Sequence, residues 1–392
     1  MFYLNHLGLV CSLGRASAQV KHSMLDLPYS GIRISTDYCD GFPLPLGKVV
    51  SDLPVCDFLS LRDNSRNNRL LFAALEQIRP AVDNAIEAFG AHRVGIIIGT
   101  STSGIAESEA AFRHRVQQGE FPEQFHYCQQ ELASPAAALA SVLGICGPAY
   151  VHSNACASSA KAMAGAARLI HMGICDAVLT GGVDSLSSFV LSGFMALESI
   201  STERCNPMSV NRCGINIGEG AALFLMSRKP ATVALRGWGE SSDGYHISAP
   251  SPDGSGATLS IQKALQRAGI TSGEIDYINM HGTATLQNDA MESKAIYALF
   301  GDTVAVSSTK PMTGHTLGAA GAIEAALCWL AMQDDNPSGK VPEHLWDGQA
   351  DPELPLLNLV ASGFGTGYPL RWCLSNSFAF GGSNVTLIFG RE

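Results

Sequence analysis

The sequence predicts an α/β fold made of two similar halves. Stretches with apolar residues at helical spacing alternate with short, continuous apolar runs, which is typical of parallel strands covered by helices. The 40 glycines among 392 residues suit tight turns and close packing of helices on sheets. The order helix, strand, Gly-Thr-x-Thr appears twice along the chain, which indicates a duplicated unit.

In the first half, residues 69–89 have the apolar spacing of a helix, with Pro80 expected to kink or break it. The apolar run 94–100 then predicts a buried strand. Residues 157–172, rich in alanine, predict a second helix before the strand 177–182.

The second half repeats this pattern. The motif Gly282-Thr283-Ala284-Thr285 ends one of its strands as Gly99-Thr100-Ser101-Thr102 ends a strand of the first half. A boundary near Arg228 divides the chain into residues 1–228 and 229–392. Helices and strands alternate in residues 257–269, 275–285, 289–301 and 304–310.

Composition excludes several classes of function. The formal net charge of -10 disfavours binding to nucleic acid or anionic lipid. No run of about 18 uncharged apolar residues and no cationic leader are present, so we expect neither membrane spanning nor export. The 11 cysteines, an odd number without a Cys-x-x-Cys pair, indicate reduced thiols and a cytoplasmic location.

Cys156 is the candidate nucleophile. It lies between a strand-like run and the predicted helix 157–172, where unpaired N–H groups and the helix dipole are expected to lower the thiol pKa. The alternative is a buried cysteine that acts only as a small apolar residue, which we expect of the other ten.

Two histidines stand at similar places in the second half. His281 follows a strand and opens the Gly-Thr-Ala-Thr motif, and His315 lies in a glycine-flanked turn before the predicted helix 317–332. Each could instead be a hydrogen-bonded core residue, and a Cys-His-His zinc site is a further alternative. Their wide spacing argues against metal, and we predict none.

The last motif, Asn376-Ser-Phe-Ala-Phe-Gly-Gly-Ser-Asn384, is a glycine turn between two strand-like runs. Glycine there lets the backbone approach a substrate closely. Residues 318–321, Gly-Ala-Ala-Gly, lack the spacing of a phosphate-binding loop and are interpreted as close helix packing.

Taken together and in this order, the motifs resemble those of the elongating β-ketoacyl-(acyl-carrier-protein) synthases of the thiolase superfamily. The resemblance runs through nearly the whole chain. It implies a thiolase-like five-layered αβαβα fold in two halves, with Cys156 from one half meeting His281 and His315 from the other. It also implies a homodimer, or a heterodimer with a related synthase or chain-length-factor subunit.

The resemblance further implies a reaction and a role for each matched residue. Cys156 accepts an acyl group from the phosphopantetheine arm of an acyl carrier protein, and both histidines hydrogen-bond the malonyl thioester during decarboxylation. No other cofactor is implied. The remaining matched residues are Lys310 and Glu324 as a supporting pair, Cys156 and Phe380 as the oxyanion hole, Phe378, Ala379 and Phe380 as the gate, and Thr283 and Thr285 as pantetheine contacts.

Several positions depart from the family pattern and indicate a specialised branch, such as synthesis of polyketide or aryl-polyene chains. They are Asn154, Asn211, Cys213, Gln287 and Ala379, and the Cβ of Ala379 is expected to restrict the gate. Asp289 and Glu292 are interpreted as a solvated helix face. Because carrier proteins are acidic, a local basic docking surface is expected, with Arg62, Arg66, Arg69, Arg204 and Arg212 as candidates.

Two alternatives follow from the same motifs. A thiolase or initiating synthase that acts on coenzyme A thioesters is disfavoured by His315 in its glycine-rich turn. A non-catalytic chain-length-factor-like subunit is disfavoured because the cysteine and both histidines are present.

Overall fold

The structure is a computed structural model of the chain and describes residues 1–39, 41–50, 52–54 and 56–392. Its α-helices are α1 Ser17–Lys21, α2 Arg66–Phe89, α3 Ile105–Gln118, α4 Ser134–Leu143, α5 Ser158–His171, α6 Ser188–Ala196, α7 Ser255–Ala268, α8 Leu286–Phe300, α9 Lys310–Thr313 and α10 Ala320–Ala331. Its strands are β1 Phe2–Val10, β2 Arg33–Ser35, β3 Leu44–Leu46, β4 Val94–Gly99, β5 Ala149–His152, β6 Ala177–Asp184, β7 Gly220–Ser227, β8 Val233–Ser242, β9 Tyr277–Asn279, β10 Ala305–Ser307, β11 Asn358–Leu359, β12 Trp372–Ala379 and β13 Ser383–Arg391.

The strand order confirms the duplicated unit. In the first unit the strands lie in the order β5-β4-β6-β7-β1, and in the second β10-β9-β12-β13-β8. When these strands are numbered from one within each unit, both orders read 3-2-4-5-1. In each unit the neighbours 3-2 and 2-4 pair in parallel, and the neighbours 4-5 and 5-1 pair antiparallel. A short antiparallel ladder between β1 and β8 joins the units into one sheet.

Helices cover both faces of each unit. Helix α2 packs on the outer face of the first unit, and α7 packs on β8 and β13 of the second. Between the units, α5 and α10 contact each other and strands of both. Because α5 and α10 are almost wholly buried, their alanines and glycines allow the two units to approach closely. The layers thus follow the predicted αβαβα order.

Some predicted elements differ from those observed. Helix α2 runs unbroken through Pro80, although proline removes one helical hydrogen bond. The predicted strand 275–285 shortens to β9, because the Gly-Thr-Ala-Thr segment forms the site loop instead. The predicted boundary at 228/229 falls in the connection between β7 and β8. Within the described ranges, no helix has the length and apolar character needed to cross a membrane.

Candidate active site

Cys156 lies on a strained turn between β5 and α5. The residue before it, Ala155, has φ +46°, a left-handed conformation that a non-glycine residue adopts only when its surroundings hold it. The Ser158 hydroxyl provides that support, because it accepts a hydrogen bond from the Asn154 N–H and donates one to the Ala155 carbonyl. Cys156 therefore points away from the regular helix and into a pocket.

His281 is held by a buried carboxylate that the sequence analysis assigned to solvent. Both Asp289 and Glu292 on α8 are fully buried, so the interpretation of a solvated face is wrong. Glu292 accepts the backbone N–H groups of His281 at 2.8 Å and Gly282 at 2.7 Å. The sequence signal available for a polar contact on this face of α8 was the pair Asn288 and Glu292, which lie four residues apart and therefore on one helix face.

His315 follows the short helix α9 and the left-handed Gly314, at φ +74°. Its backbone N–H donates to Asn216, and its carbonyl accepts from Gly218. A Cβ at Gly314 would lie 2.9 Å from the Gly218 Cα. The turn therefore requires glycine, and it seats His315 between two segments of the chain.

The structure brings the three predicted residues together. Sγ of Cys156 and one ring nitrogen from each of His281 and His315 lie within 4.8 Å of one another. The closest contact joins His315 Nε2 to Cys156 Sγ at 2.9 Å. The imidazole rings of the two histidines stand nearly perpendicular, with centroids 5.3 Å apart. All three side chains are buried.

Burial controls the protonation of this cluster. It raises the pKa of the Cys156 thiol to about 12, although nearby Lys310 and the backbone N–H groups of Phe380 and Cys156 oppose the shift. Burial, with the Lys310 charge, also holds the pKa of each histidine well below its usual range. The predicted lowering of the thiol pKa is therefore wrong, because desolvation outweighs the effect of the helix terminus. At rest the site contains a neutral thiol and two neutral imidazoles.

Lys310 and Glu324 form the buried ion pair that the resemblance implied. Lys310 Nζ also lies 3.4 Å from His281 Nδ1. Because a charged ammonium has only hydrogens to donate, it requires Nδ1 to be the acceptor and leaves the imidazole proton on Nε2. A metal ion would need a lone pair on the His281 nitrogen that faces the cluster. This hydrogen bond consequently argues against zinc, even though the three side chains are close.

Three buried side-chain oxygens, one of them on Glu324 of this ion pair, have no hydrogen-bond partner within the described residues. They are Asn279 Oδ1, Glu324 Oε2 and Ser375 Oγ, and Asn279 and Ser375 are cross-strand neighbours. Oxygen atoms of this kind are suited to a bound water or a small hard cation. Sequence reasoning did not find them.

The end of β12 and the glycine turn that follows it form one wall of the pocket. Phe378, Ala379 and Phe380 all line the cavity, and Phe380 packs against Phe194 of α6 with ring centroids 5.7 Å apart. Ala379 has φ -103°, an extended backbone that any residue adopts, so its Cβ causes no strain. The next two residues, Gly381 and Gly382, have φ +81° and +72°.

The pocket has a volume of about 360 Å³ and is open to solvent. Thr283 and Thr285 line it, and their hydroxyls are 2.9 Å apart. The backbone N–H groups of Cys156 and Phe380 both lower the pKa of the Cys156 thiol, as expected of donors close to the sulfur. Two N–H donors near one point can stabilise an oxyanion that develops beside the sulfur.

The five arginines proposed for docking separate into two groups. Arg66 is paired with the buried Glu219, and Arg212 with Asp351, its side chain only 5% exposed. These two guanidinium groups are occupied within the fold and are not presented to a partner. Arg62, Arg69 and Arg204 are exposed.

Comparison with protein families matches both units. Residues 60–231 match the model of the β-ketoacyl synthase N-terminal domain, and residues 232–341 match the C-terminal domain. The chain belongs to the β-ketoacyl synthase family. A 3-oxoacyl-[acyl-carrier-protein] synthase 2 of Synechocystis is 32% identical over 365 residues, covering 88% of this chain and 86% of the relative. One of the same name from Staphylococcus aureus is 31% identical, covering 85% and 84%.

Solved ketosynthases have the same fold. A chain of the complex of the ketosynthase ApeO with its chain length factor ApeC, from Xenorhabdus doucetiae, superposes with a TM-score of 0.95. It is 42% identical, and the match covers 100% of this chain and 98% of that one. A chain of the ishigamide ketosynthase/chain length factor has a TM-score of 0.88 and 25% identity, covering 100% and 99%.

Proposed function

We propose that this protein condenses an acyl group carried on Cys156 with malonyl-acyl-carrier protein and releases a β-ketoacyl-carrier protein and carbon dioxide. The convergence of Cys156, His281 and His315 in one buried cluster carries this proposal. Incubation with acyl- and malonyl-carrier proteins tests it, through the appearance of a β-ketoacyl product two carbons longer and an equal amount of carbon dioxide.

In the first step, the Cys156 sulfur attacks the carbonyl carbon of the acyl thioester while His315 Nε2 takes the thiol proton. Because the neutral pair is favoured at rest, we expect the proton to leave as the sulfur–carbon bond forms. The carbonyl becomes an oxyanion held by the N–H groups of Cys156 and Phe380. Collapse breaks the bond to the pantetheine sulfur, which takes the proton from His315.

In the second step, the malonyl thioester carbonyl accepts hydrogen bonds from the two imidazoles. His315 donates here as the tautomer that carries its single proton on Nε2, which becomes available once the acylated sulfur no longer needs a base. The bond to the malonyl carboxylate then breaks, carbon dioxide leaves, and the electron pair forms an enolate. The enolate carbon attacks the acyl-cysteine carbonyl, and collapse of the second oxyanion releases the Cys156 thiolate, which takes up one proton from water. Because the side chains and the carrier's phosphopantetheine arm account for every step, we propose no further cofactor.

We propose that carrier-protein binding uses exposed charge and the pocket wall. Thr283 and Thr285 line the pocket and bond to each other, and we propose their hydroxyls as contacts for the pantetheine arm. Of the exposed arginines, we propose Arg62, Arg69 and Arg204 as contacts for an acidic carrier. We also propose a reducing, cytoplasmic setting, because the 11 cysteines are odd in number and include no Cys-x-x-Cys pair.

The pH dependence of condensation follows from the depressed histidine pKa values. A histidine whose pKa is lowered keeps its neutral form as the pH falls through 6.5. Protonation of either His281 or His315 would reduce the condensation rate. Because both histidines stay neutral in this range, we expect the rate to change less than about twofold between pH 8 and pH 6. Measurement of kcat across this range is the test, and a loss with its midpoint near pH 6.5 would contradict neutral, shielded imidazoles.

We further propose that the chain works as one half of a dimer with a related chain. Strand β5 is one of the two edges of the large sheet, with Ala149 and Tyr150 exposed, and exposed edges of parallel sheets are normally covered. Large exposed apolar residues on α3 and α6, Val116 and Phe189, are 85% and 68% accessible. The similarity to a chain of a ketosynthase–chain length factor complex favours a heterodimer.

Expression of the chain alone and together with a related chain-length-factor-like protein distinguishes these assemblies. We expect the chain alone to show little condensation and to gain at least about tenfold on co-expression, because an uncovered apolar surface of this kind marks an interface. A stable, fully active homodimer from the chain alone would exclude an obligate heterodimer.

A further inference from the structure

Asp184, the last residue of β6, joins the two units beside the active site. Its side chain is fully buried. One oxygen, Oδ1, accepts the Thr100 hydroxyl at 2.6 Å and both the N–H and hydroxyl of Thr102, at 2.9 and 2.8 Å. The other oxygen, Oδ2, accepts the Gly318 N–H at 2.6 Å. One carboxylate therefore connects the loop after β4, in the first unit, to the turn that follows His315, in the second.

The same loop is bound to the nucleophile turn. The Ser101 N–H donates to both Asp184 oxygens at 3.0 Å. Its hydroxyl donates to the Ala155 carbonyl at 3.1 Å, immediately before Cys156. A continuous set of hydrogen bonds thus runs from the His315 turn through Asp184 to the Cys156 turn.

All three segments in this network contain a strained residue. Ser103, Ala155 and Leu317 have φ +47°, +46° and +53°. Conformations of this kind persist only when the surrounding structure over-determines them, and they cluster at functional sites. The shared carboxylate is the group that contacts the segments carrying Ser103 and Leu317 directly.

The two units are in such close contact at Gly318 that no side-chain atom would fit there. A Cβ added at Gly318 would lie 2.6 Å from Asp184 Oδ2 and 2.7 Å from the Ser101 nitrogen. The carboxylate also receives only hydrogen-bond donors, so an amide in its place would direct its own N–H groups at some of them. The link between the units therefore depends both on the close fit of the Asp184 side chain and on its two oxygens being acceptors.

We propose that Asp184 is a positioning residue that holds the His315 turn against the Cys156 turn and so maintains the contact between His315 Nε2 and Cys156 Sγ. Its role in condensation rests on the function proposed above. The Cys156–His315 contact itself belongs to the folded protein and can be measured without any carrier protein.

The test is the pH dependence of Cys156 alkylation by iodoacetamide, followed by mass spectrometry of the Cys156 peptide. In the unsubstituted protein, neutral His315 removes the thiol proton, so the alkylation rate should be nearly constant between pH 7 and 8.5. In Asp184→Asn the thiol must ionise without this base. The rate should then fall about a hundredfold at pH 7 and rise about tenfold per pH unit, since the thiol pKa lies far above this range.

Two further variants separate positioning from simple destabilisation. Gly318→Ala disturbs the same link from the other side and should reproduce the steep pH profile. Asp176→Asn makes the same chemical change at the opposite end of β6, where the carboxylate is 41% exposed and pairs with Arg93, and should keep the flat profile. Lys310 and Glu324, which also face the thiol, are unchanged in all three.

If Asp184→Asn and Gly318→Ala retain the flat profile and a rate within about twofold of the unsubstituted protein, even with a lowered Tm, the proposal is overturned. A folded protein that shows the expected alkylation profiles but elongates no carrier-bound substrate would contradict the proposed function while leaving the positioning role intact.

Discussion

Replacement of Cys156 by alanine is expected to abolish acyl-enzyme formation and to reduce condensation by on the order of 10⁴-fold or more, because it removes the thiol that contacts the His315 imidazole. The fold should survive, since the change removes one sulfur atom at a pocket wall. Decarboxylation of malonyl-carrier protein should continue, because that step uses the histidines and not the sulfur. Intact-protein mass and carbon dioxide release measure the two outcomes.

Cys175→Ala is the matched control for this change. Cys175 is also buried but is not among the residues that line the pocket, so the Cys175→Ala variant should keep both reactions. An acyl adduct that persists in Cys156→Ala would place the nucleophile elsewhere.

His281→Ala is expected to separate the two steps. His281 faces the cluster with a proton on Nε2, whereas His315 makes the 2.9 Å contact to the sulfur. The rate of Cys156 acylation in His281→Ala should therefore stay within about tenfold of that of the unsubstituted protein. The rates of decarboxylation and condensation should fall by about 10²–10⁴-fold, as expected when a catalytic hydrogen-bond donor is removed. Single-turnover acylation and malonyl decarboxylation, measured separately, give the comparison.

His315→Ala supplies the contrast. Because His315 Nε2 contacts the thiol in the unsubstituted protein, we expect both the acylation rate and the decarboxylation rate to fall in His315→Ala. The sequence analysis assigned both histidines to the malonyl step alone, and the sulfur contact changes that expectation. If the two variants had the same profile, the division of roles between the histidines would be wrong.

Much of the fold and the identity of the reactive residues could be predicted from the sequence. Hydrophobic periodicity and the repeated Gly-Thr-x-Thr motif reveal the two units, since they arise from local geometry. Cys156, His281 and His315 each stand in a short motif at the end of an element, where parallel-sheet proteins gather their functional groups.

What escaped prediction depends on contacts between distant parts of the chain. Asp184 bonds to Gly318, 134 residues away, and Arg66 pairs with Glu219, 153 residues away. Neither contact has a local sequence signal. The sign of the Cys156 pKa shift was also missed, because a helix terminus is visible in the sequence and the depth of burial is not. Glu292 was assigned to solvent for the same reason.

The most direct test of the central claim is intact-protein mass spectrometry after incubation with a panel of acyl-carrier proteins, followed by malonyl-carrier protein. The account predicts an acyl adduct on Cys156 that disappears on addition of malonyl-carrier protein, as a longer β-ketoacyl-carrier protein forms. An adduct on any other residue, or an adduct on Cys156 that malonyl-carrier protein never discharges, even with a chain-length-factor-like partner present, would contradict it.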